Sequence, residues 1–292
     1  MLALVTGATG FVGSHVVDAL LARGHRVRCT VRRTSDLAWL AGKPHEAVEG
    51  DLRDGRALDR AMEGVDAVYH VAGVLSAASL AKYRAGNWQA TKHVCDAAVR
   101  ARVRRLVQVS SLAATGPSNG RPPVDEETPC APISMYGRTK LDGEREAWRH
   151  RDAIEVAAVR PPAVYGPRDR GLLDMFKLLG SGVRPAIGGP KRLSIVHVED
   201  LARGIVEVGE HPRAAGEVFF LCNERTHSFD ELMGFILAGL GRGAVRVPVP
   251  DRVVRLLGRV AEKALPLLGK GGLFSHDKAV EMTQRAWTCS PA

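Results

Sequence analysis

Residues 2–13, LALVTGATGFVG, decide how this chain is read: an apolar run flows directly into Gly7, Gly10 and Gly13, and SHVVDALLARG follows with helical spacing. That is the sequence form of a strand, a glycine turn and a helix N-terminus, an arrangement that binds a pyrophosphate. Gly7 permits a backbone conformation that a Cβ opposes, Gly10 leaves room for the phosphates, and Gly13 lets the helix sit close against the strand. Free N–H groups in the first helical turn supply the anion site. Gly7, Thr9, Gly10, Phe11, Val12 and Gly13 are therefore the expected dinucleotide-binding turn. A chain with 31 glycines in 292 residues produces triplets by chance, and it is the position directly after an N-terminal β-like run that gives this one its weight.

The length allows one large domain or two unequal ones. Composition is ordinary, with 45% hydrophobic and 25% charged residues and no low-complexity tract or short repeat. Five cysteines (Cys29, Cys95, Cys130, Cys222, Cys289) form no C-x-x-C and are odd in number, which fits reduced thiols in a cytoplasmic protein. No metal site is expected. No stretch approaches the roughly 18 apolar residues of a spanning helix. A cleaved signal peptide would destroy the glycine turn, so no integral membrane segment is expected. Forty-one basic against thirty-two acidic residues give a formal +9. These charges are scattered, mostly arginine, with no basic block interleaved with aromatics, so no nucleic-acid partner is expected.

Strand-like and helix-like segments alternate through the first 160 residues or so. RVRCTV (26–31), HEAVEG (45–50), DAVYHVAG (66–73), RLVQVSS (105–111) and EVAAVRPP (155–162) read as strands. The near-continuous apolar character of several of these is that of a parallel sheet covered on both faces, so the expected fold is α/β, a doubly wound parallel Rossmann sheet with a smaller C-terminal substrate domain. Residues 1–164, completed by a strand near 216–223, form the expected dinucleotide-binding domain. Residues 165–215 and 224–292 form the expected substrate domain. In DRVVRLLGRVAEKALPLL (251–268), Val253, Leu257, Val260, Ala264 and Leu268 share a helical stripe, with Arg255, Arg259, Glu262 and Lys263 away from it. Core packing in the small domain is the first expectation for this stripe, a wall of an apolar substrate pocket the second and a membrane-surface contact the third. Gly269 to Gly272 then mark a turn. The chain ends at TCSPA without a clear terminal element, which leaves open a natural chain longer than 292 residues. A homodimer is likewise open.

Nineteen residues after Gly13, the second strand ends in Arg32 and Arg33, where an NAD-preferring site would place an acidic residue. Arginine there suits a 2′-phosphate and predicts NADP, with Asp36 close enough to keep NAD as the alternative. Asp51, in GDLRD, is placed to accept from the adenine amino group with Leu52 beside the ring, or else to cap a helix. YGRTK carries the chemistry: Tyr136 and Lys140 are four apart, so on a helix they share a face. A phenol of pKa near 10 becomes useful at neutral pH when a neighbouring cation stabilises its phenolate. Ser111, at the carboxyl end of another expected strand, lies on the sheet edge where ligands gather and can orient a reacting oxygen.

These motifs together resemble the extended short-chain dehydrogenase/reductase family, which includes nucleotide-sugar epimerases, 3β-hydroxysteroid dehydrogenases and plant dihydroflavonol reductases. The likeness spans nearly the whole chain. TGATGFVG (6–13) matches the cofactor motif, GDLRD (50–54) the adenine-side motif and HVAG (70–73) the strand passing the cofactor. VSS (109–111) and YGRTK (136–140) match the catalytic segments, and RPPAVYGPRD (160–169) the turn beside nicotinamide. The resemblance implies that Val71, Ala72 and Gly73 line the cofactor, that Asn87 holds the active-site architecture and its water, and that Pro161 lies against nicotinamide. It also places Val164 at the entry to the substrate domain and His197 on the substrate side, where a buried structural histidine is the other reading.

Departures from the family narrow the expectation. Sugar-nucleotide 4,6-dehydratases usually carry an acidic pair after the catalytic hydroxyl, and this chain has Leu112 and Ala113. Many nucleotide-sugar enzymes place asparagine before the YGP turn, where this chain reads Ala163 and Val164. The expected function is therefore interconversion of a carbonyl and a secondary alcohol on a hydrophobic or amphipathic small molecule. A nucleotide-sugar epimerase with tightly bound NAD is the alternative, and a noncatalytic dinucleotide sensor the alternative of another class.

Overall fold

The structure is a computed structural model and describes residues 1–267 and 274–291. Its first part runs β1 (Leu2–Thr6), α1 (Phe11–Ala22), β2 (Arg26–Val31), β3 (Glu46–Glu49), α2 (Gly55–Met62), β4 (Ala67–His70), α3 (Leu80–Arg84), a π turn (Ala85–Gln89) and α4 (Ala90–Arg100). Then come β5 (Arg105–Val109), α5 (Leu112–Thr115), α6 (Met135–Trp148) and β6 (Glu155–Val159). The remainder comprises β7 (Ala163–Tyr165), α7 (Arg170–Gly180), β8 (Val183–Ile187), β9 (Arg192–Leu193), β10 (Ile195–His197), α8 (Val198–Glu210) and β11 (Val218–Phe219). It closes with β12 (His227–Ser228), α9 (Phe229–Leu240), β13 (Val245–Val249), α10 (Asp251–Leu267), α11 (His276–Met282) and β14 (Ala286–Trp287).

Seven parallel strands form the main sheet in the order β3-β2-β1-β4-β5-β6-β11. The order reverses between β1 and β4. Right-handed crossovers on the two sides of this point send helices to opposite faces and leave a crevice at the strands' carboxyl ends. Strand alternation explains the continuous apolar runs. Ala3 and Val5 pack with Val16, Val17 and Leu20 of α1 and Leu201 and Ile205 of α8, while Leu2 and Leu4 pack with Leu58 and Met62 of α2 and Val94 of α4. Each fully buried leucine contributes about 1.5–3 kcal/mol, so a single inward polar substitution on β1 would be felt on a whole face.

The smaller C-terminal unit rests on short two- and three-stranded sheets and on α7 against α9, with Leu179, Met233 and Ile236 buried between them. Here α10 departs from expectation. It packs Val254 and Gly258 toward α11, where a Cβ on Gly258 would lie 2.8 Å from Ala279 Cβ and 2.9 Å from the Ser275 carbonyl. Close helix approach through a glycine selects the small-residue face, so Val253, Leu257 and Val260 turn outward instead of into the core. The Ala264 side chain, Leu268 and the Gly269–Gly272 turn lie outside the described residues.

Candidate active site

The glycine turn follows β1 at the crevice. Gly7 has φ +71°, and a Cβ there would lie 2.7 Å from the Ala72 backbone. At Gly13 it would lie 2.1 Å from the Gly7 carbonyl oxygen, so α1 approaches the turn as closely as only glycine permits. Gly10 caps α1 with no side-chain hydrogen bond, leaving the first-turn N–H groups available for an anion. A cavity of about 1150 Å³ opens from this turn. Thr9, Phe11 and Val12 line it, as do Val71, Ala72 and Gly73 after β4, and Pro161 and Val164 flanking β7's start. The Ser110 hydroxyl, buried in the same wall, has no protein partner. Glycines a Cβ would fill, open N–H groups and an orphaned hydroxyl fit a dinucleotide.

Ser111, Tyr136 and Lys140 line the same cavity. Ser111 sits just past β5 as the N-cap of α5, its Oγ accepting the Ala113 N–H at 3.1 Å. Tyr136 and Lys140 lie one turn apart on α6. Burial pushes the Tyr136 phenol up from its ordinary value, and a hydrogen bond with Ser111 pulls it back down. Lys140 is buried, its Nζ donates to the Val109 carbonyl at 2.7 Å, and burial lowers its pKa to about 8 against the opposing charge of Glu144. Asn87 does not line the cavity and acts behind it. Its Oδ1 accepts the Val74 N–H (2.7 Å) and its Nδ2 donates to the Val74 carbonyl (3.1 Å) and Thr139 Oγ1 (3.0 Å), tying the segment after β4 to α6.

Several supports carry no local sequence signal. The buried Asp277 carboxylate of α11 accepts the Met135 and Tyr136 N–H groups at 2.6 and 3.0 Å, capping the helix that carries the tyrosine from 142 residues away. Ser134 Oγ donates to Glu281 Oε1 at 2.7 Å. Arg160, just before Pro161, pairs with Glu144 of α6 through two buried hydrogen bonds of 3.0 and 2.6 Å. Below the cavity, the Thr91 hydroxyl donates to the Asn87 carbonyl (2.6 Å) and so accepts from His70 Nε2 (3.0 Å), whose Nδ1 then accepts from Thr6 (2.6 Å). Burial lowers the His70 pKa to about 3, which keeps the ring neutral and this direction fixed.

At the far end of the cavity, Arg32, Asp51 and Leu52 line the wall, whereas Arg33 is exposed and does not. Asp51 accepts from Arg53 at 2.8 Å, which holds its carboxyl below the ordinary range, with Arg32 adding to the effect. Asp54, not Asp51, caps α2. His197 caps α8 and meets the Tyr165 ring edge-on at 5.3 Å, and it does not line the cavity. Among the described residues no group of acidic, histidine or cysteine side chains could hold a metal, and no helix is long and apolar enough to cross a membrane.

Residues 3–222 match the model of the NAD dependent epimerase/dehydratase family, and the chain belongs to that family within the extended short-chain dehydrogenases/reductases. Members carry out dinucleotide-dependent redox or epimerisation chemistry on small substrates, and this chain is such an enzyme. A ceramide reductase of Caulobacter vibrioides is 32% identical over 289 residues, covering 99% of this chain and 86% of the relative. The dTDP-glucose 4,6-dehydratase DesIV of Streptomyces venezuelae, solved with NAD, is 29% identical with a TM-score of 0.75, covering 85% and 84% of the two chains. A short-chain dehydrogenase/reductase superfamily protein of Agrobacterium tumefaciens, also solved with NAD, is 29% identical with a TM-score of 0.72, covering 97% and 96%.

These structures overturn the expectation of NADP, because the solved relatives hold NAD. The missing acid at the end of β2 is a misleading signal: the carboxylate on this wall comes from Asp51, after β3, and stands close enough to Arg32 to feel its charge. A dianionic phosphate would meet that carboxylate, whereas ribose hydroxyls can donate to it.

Proposed function

We propose that this chain is an NAD-dependent enzyme acting at a carbinol carbon of a small substrate, with Tyr136 as general base and acid. The observation that carries the reading is the convergence of Ser111, Tyr136 and Lys140 on the cavity that opens from the glycine turn. NAD, when bound, would supply the hydride acceptor and donor. Gly7 to Gly13 would hold its pyrophosphate, with Asp51 and Leu52 at the adenosine end. Tyr136 as phenolate takes the alcohol proton, and as phenol returns it to a carbonyl oxygen. Burial holds its phenol too high for this, and the Ser111 hydrogen bond lowers it; a cation on the same helix face, as the Lys140 ammonium is, also favours a phenolate. Ser111 accepts at Oγ from Ala113, so its own proton remains free to hold the reacting oxygen as charge develops. Lys140 keeps two N–H donors beyond its bond to Val109 for ribose hydroxyls.

The family's description and the dehydratase relative weigh toward the epimerase outcome, in which a nucleotide sugar is oxidised transiently and NAD is not consumed. A second reading rests on the cavity walls. Leu75, Leu112, Leu193, Phe229, Met282 and Trp287 are apolar, and Ala163 stands where many nucleotide-sugar enzymes place asparagine. These walls, with the ceramide reductase relative, support net oxidoreduction of an amphipathic substrate. One experiment separates the two: incubation with NAD or NADH and either nucleotide sugars or amphipathic ketones and alcohols, following both nicotinamide absorbance and products. Epimerised sugar at constant absorbance establishes the first reading, and stoichiometric NADH loss with a ketone the second. Neither product with any substrate would overturn both.

A further inference from the structure

The outward face of α10 is built as two adjoining stripes. Val253, Leu256, Leu257 and Val260 recur at helical spacing and are 37%, 58%, 52% and 54% exposed. Arg252, Arg255 and Arg259 recur at the same spacing on the neighbouring stripe, all exposed, with Arg255 also donating through Nε to Thr283 Oγ1 at 3.1 Å. The third side holds the helix in place, through Val254 and Gly258 against α11. The helix is thus anchored to the fold while presenting an apolar row and a cationic row to whatever lies outside. Its first residue, Asp251, stands 3.8 Å from Lys191, which lines the cavity, and α11 contributes Lys278, Glu281 and Met282 to the same wall.

We propose that α10 is an interfacial helix that seats the protein on an anionic lipid surface beside its cavity. The apolar row would enter the boundary of the acyl region while the arginines meet headgroup phosphates, the division of labour of helices that lie in a membrane interface without spanning it. Charge decides for lipid over a second copy of the chain. An antiparallel two-fold contact centred on the apolar row would set the two arginine rows side by side along its rim, where like charges repel, and a parallel one would leave both rows without a counter-charge. A formal charge of +9 adds long-range attraction to an anionic surface. The inference goes beyond the proposed reaction and holds for either outcome of it.

The test is cosedimentation of the full chain with vesicles of phosphatidylcholine alone and of phosphatidylcholine mixed equally with phosphatidylglycerol. Binding is expected to the mixed vesicles, at least tenfold weaker to phosphatidylcholine, and weaker still as salt rises. The double variant Leu256→Ser with Leu257→Ser alters exposed side chains only, and should lose tenfold or more of the vesicle affinity while binding NAD as the parent does. Arg255→Gln with Arg259→Gln should lose the preference for phosphatidylglycerol. Equal sedimentation with both vesicle types, or serine variants that sediment like the parent, would overturn the proposal. So would a change of oligomeric state in the serine variant on gel filtration, since that would make a second copy the occupant.

Discussion

Tyr136 and Lys140 are set to different extremes by the same burial, the phenol raised and the ammonium lowered to about 8. Replacing Tyr136 by Phe removes one oxygen from the cavity wall. Turnover is expected to fall by about 10²–10⁴-fold, with NAD affinity by calorimetry unchanged; turnover close to the parent's would remove Tyr136 from its role. Lys140 gives a pH signature in the cofactor-free protein. Below about 8 the ammonium is charged in both folded and unfolded chains, and the fold carries the full burial cost. Between about 8 and the ordinary lysine value the folded side chain is neutral while the unfolded one stays charged, so the unfolded state binds more protons and stability rises with pH. Lys140→Met should lack that rise: the Tm of the parent minus that of the variant increases from pH 7.5 to about 10. A difference independent of pH would contradict it. Both residues were legible in sequence because a spacing of four on a helix is local information. Asp277 was not, because its contact with α6 depends on how distant segments fold together.

At the scale of elements, two attachments position α6 and one glycine positions α1. Glu144→Gln leaves the buried Arg160 guanidinium without its counter-ion, and should cost about 3 kcal/mol in urea unfolding. A loss below about 1 kcal/mol would show that the pair contributes little. Gly13→Ala places a Cβ 2.1 Å from the Gly7 carbonyl, backbone that cannot yield without moving α1. NAD affinity should drop by tenfold or more, about 1.4 kcal/mol; undiminished binding would mean that the turn does not hold the cofactor. Sequence periodicity identified α10 as an amphipathic helix but placed the wrong stripe inside. Apolar spacing reports which residues share a face, while the small side chain at Gly258 decided which face the neighbouring helix could approach.

Across the whole molecule, the parallel sheet was readable because strands covered on both faces read as near-continuous apolar runs, as β1 does over Leu2–Val5 before ending in the buried Thr6. The strand ends were less readable. DAVYHVAG pairs only over Ala67–His70, since the chain leaves the ladder to form the cavity wall at Val71, Ala72 and Gly73. Cofactor choice was misread because Arg32 and Asp51 were weighed separately, whereas in the folded chain the Asp51 carboxylate stands close enough to Arg32 to feel its charge and Arg33 does not line the wall. NADH should therefore bind more tightly than NADPH at equal ionic strength, and tighter NADPH binding would reject the assignment. The central claim, redox chemistry at a carbinol carbon assisted by Tyr136, is tested most directly by tracing deuterium from NADH labelled at its reactive nicotinamide carbon. With 4-keto nucleotide sugars and amphipathic ketones as acceptors, label should appear on the carbinol carbon of one product class, and Tyr136→Phe should slow its appearance by about 10²-fold or more. Bound NADH that passes no deuterium to any of these acceptors, or label transfer that Tyr136→Phe leaves unchanged, would contradict the account.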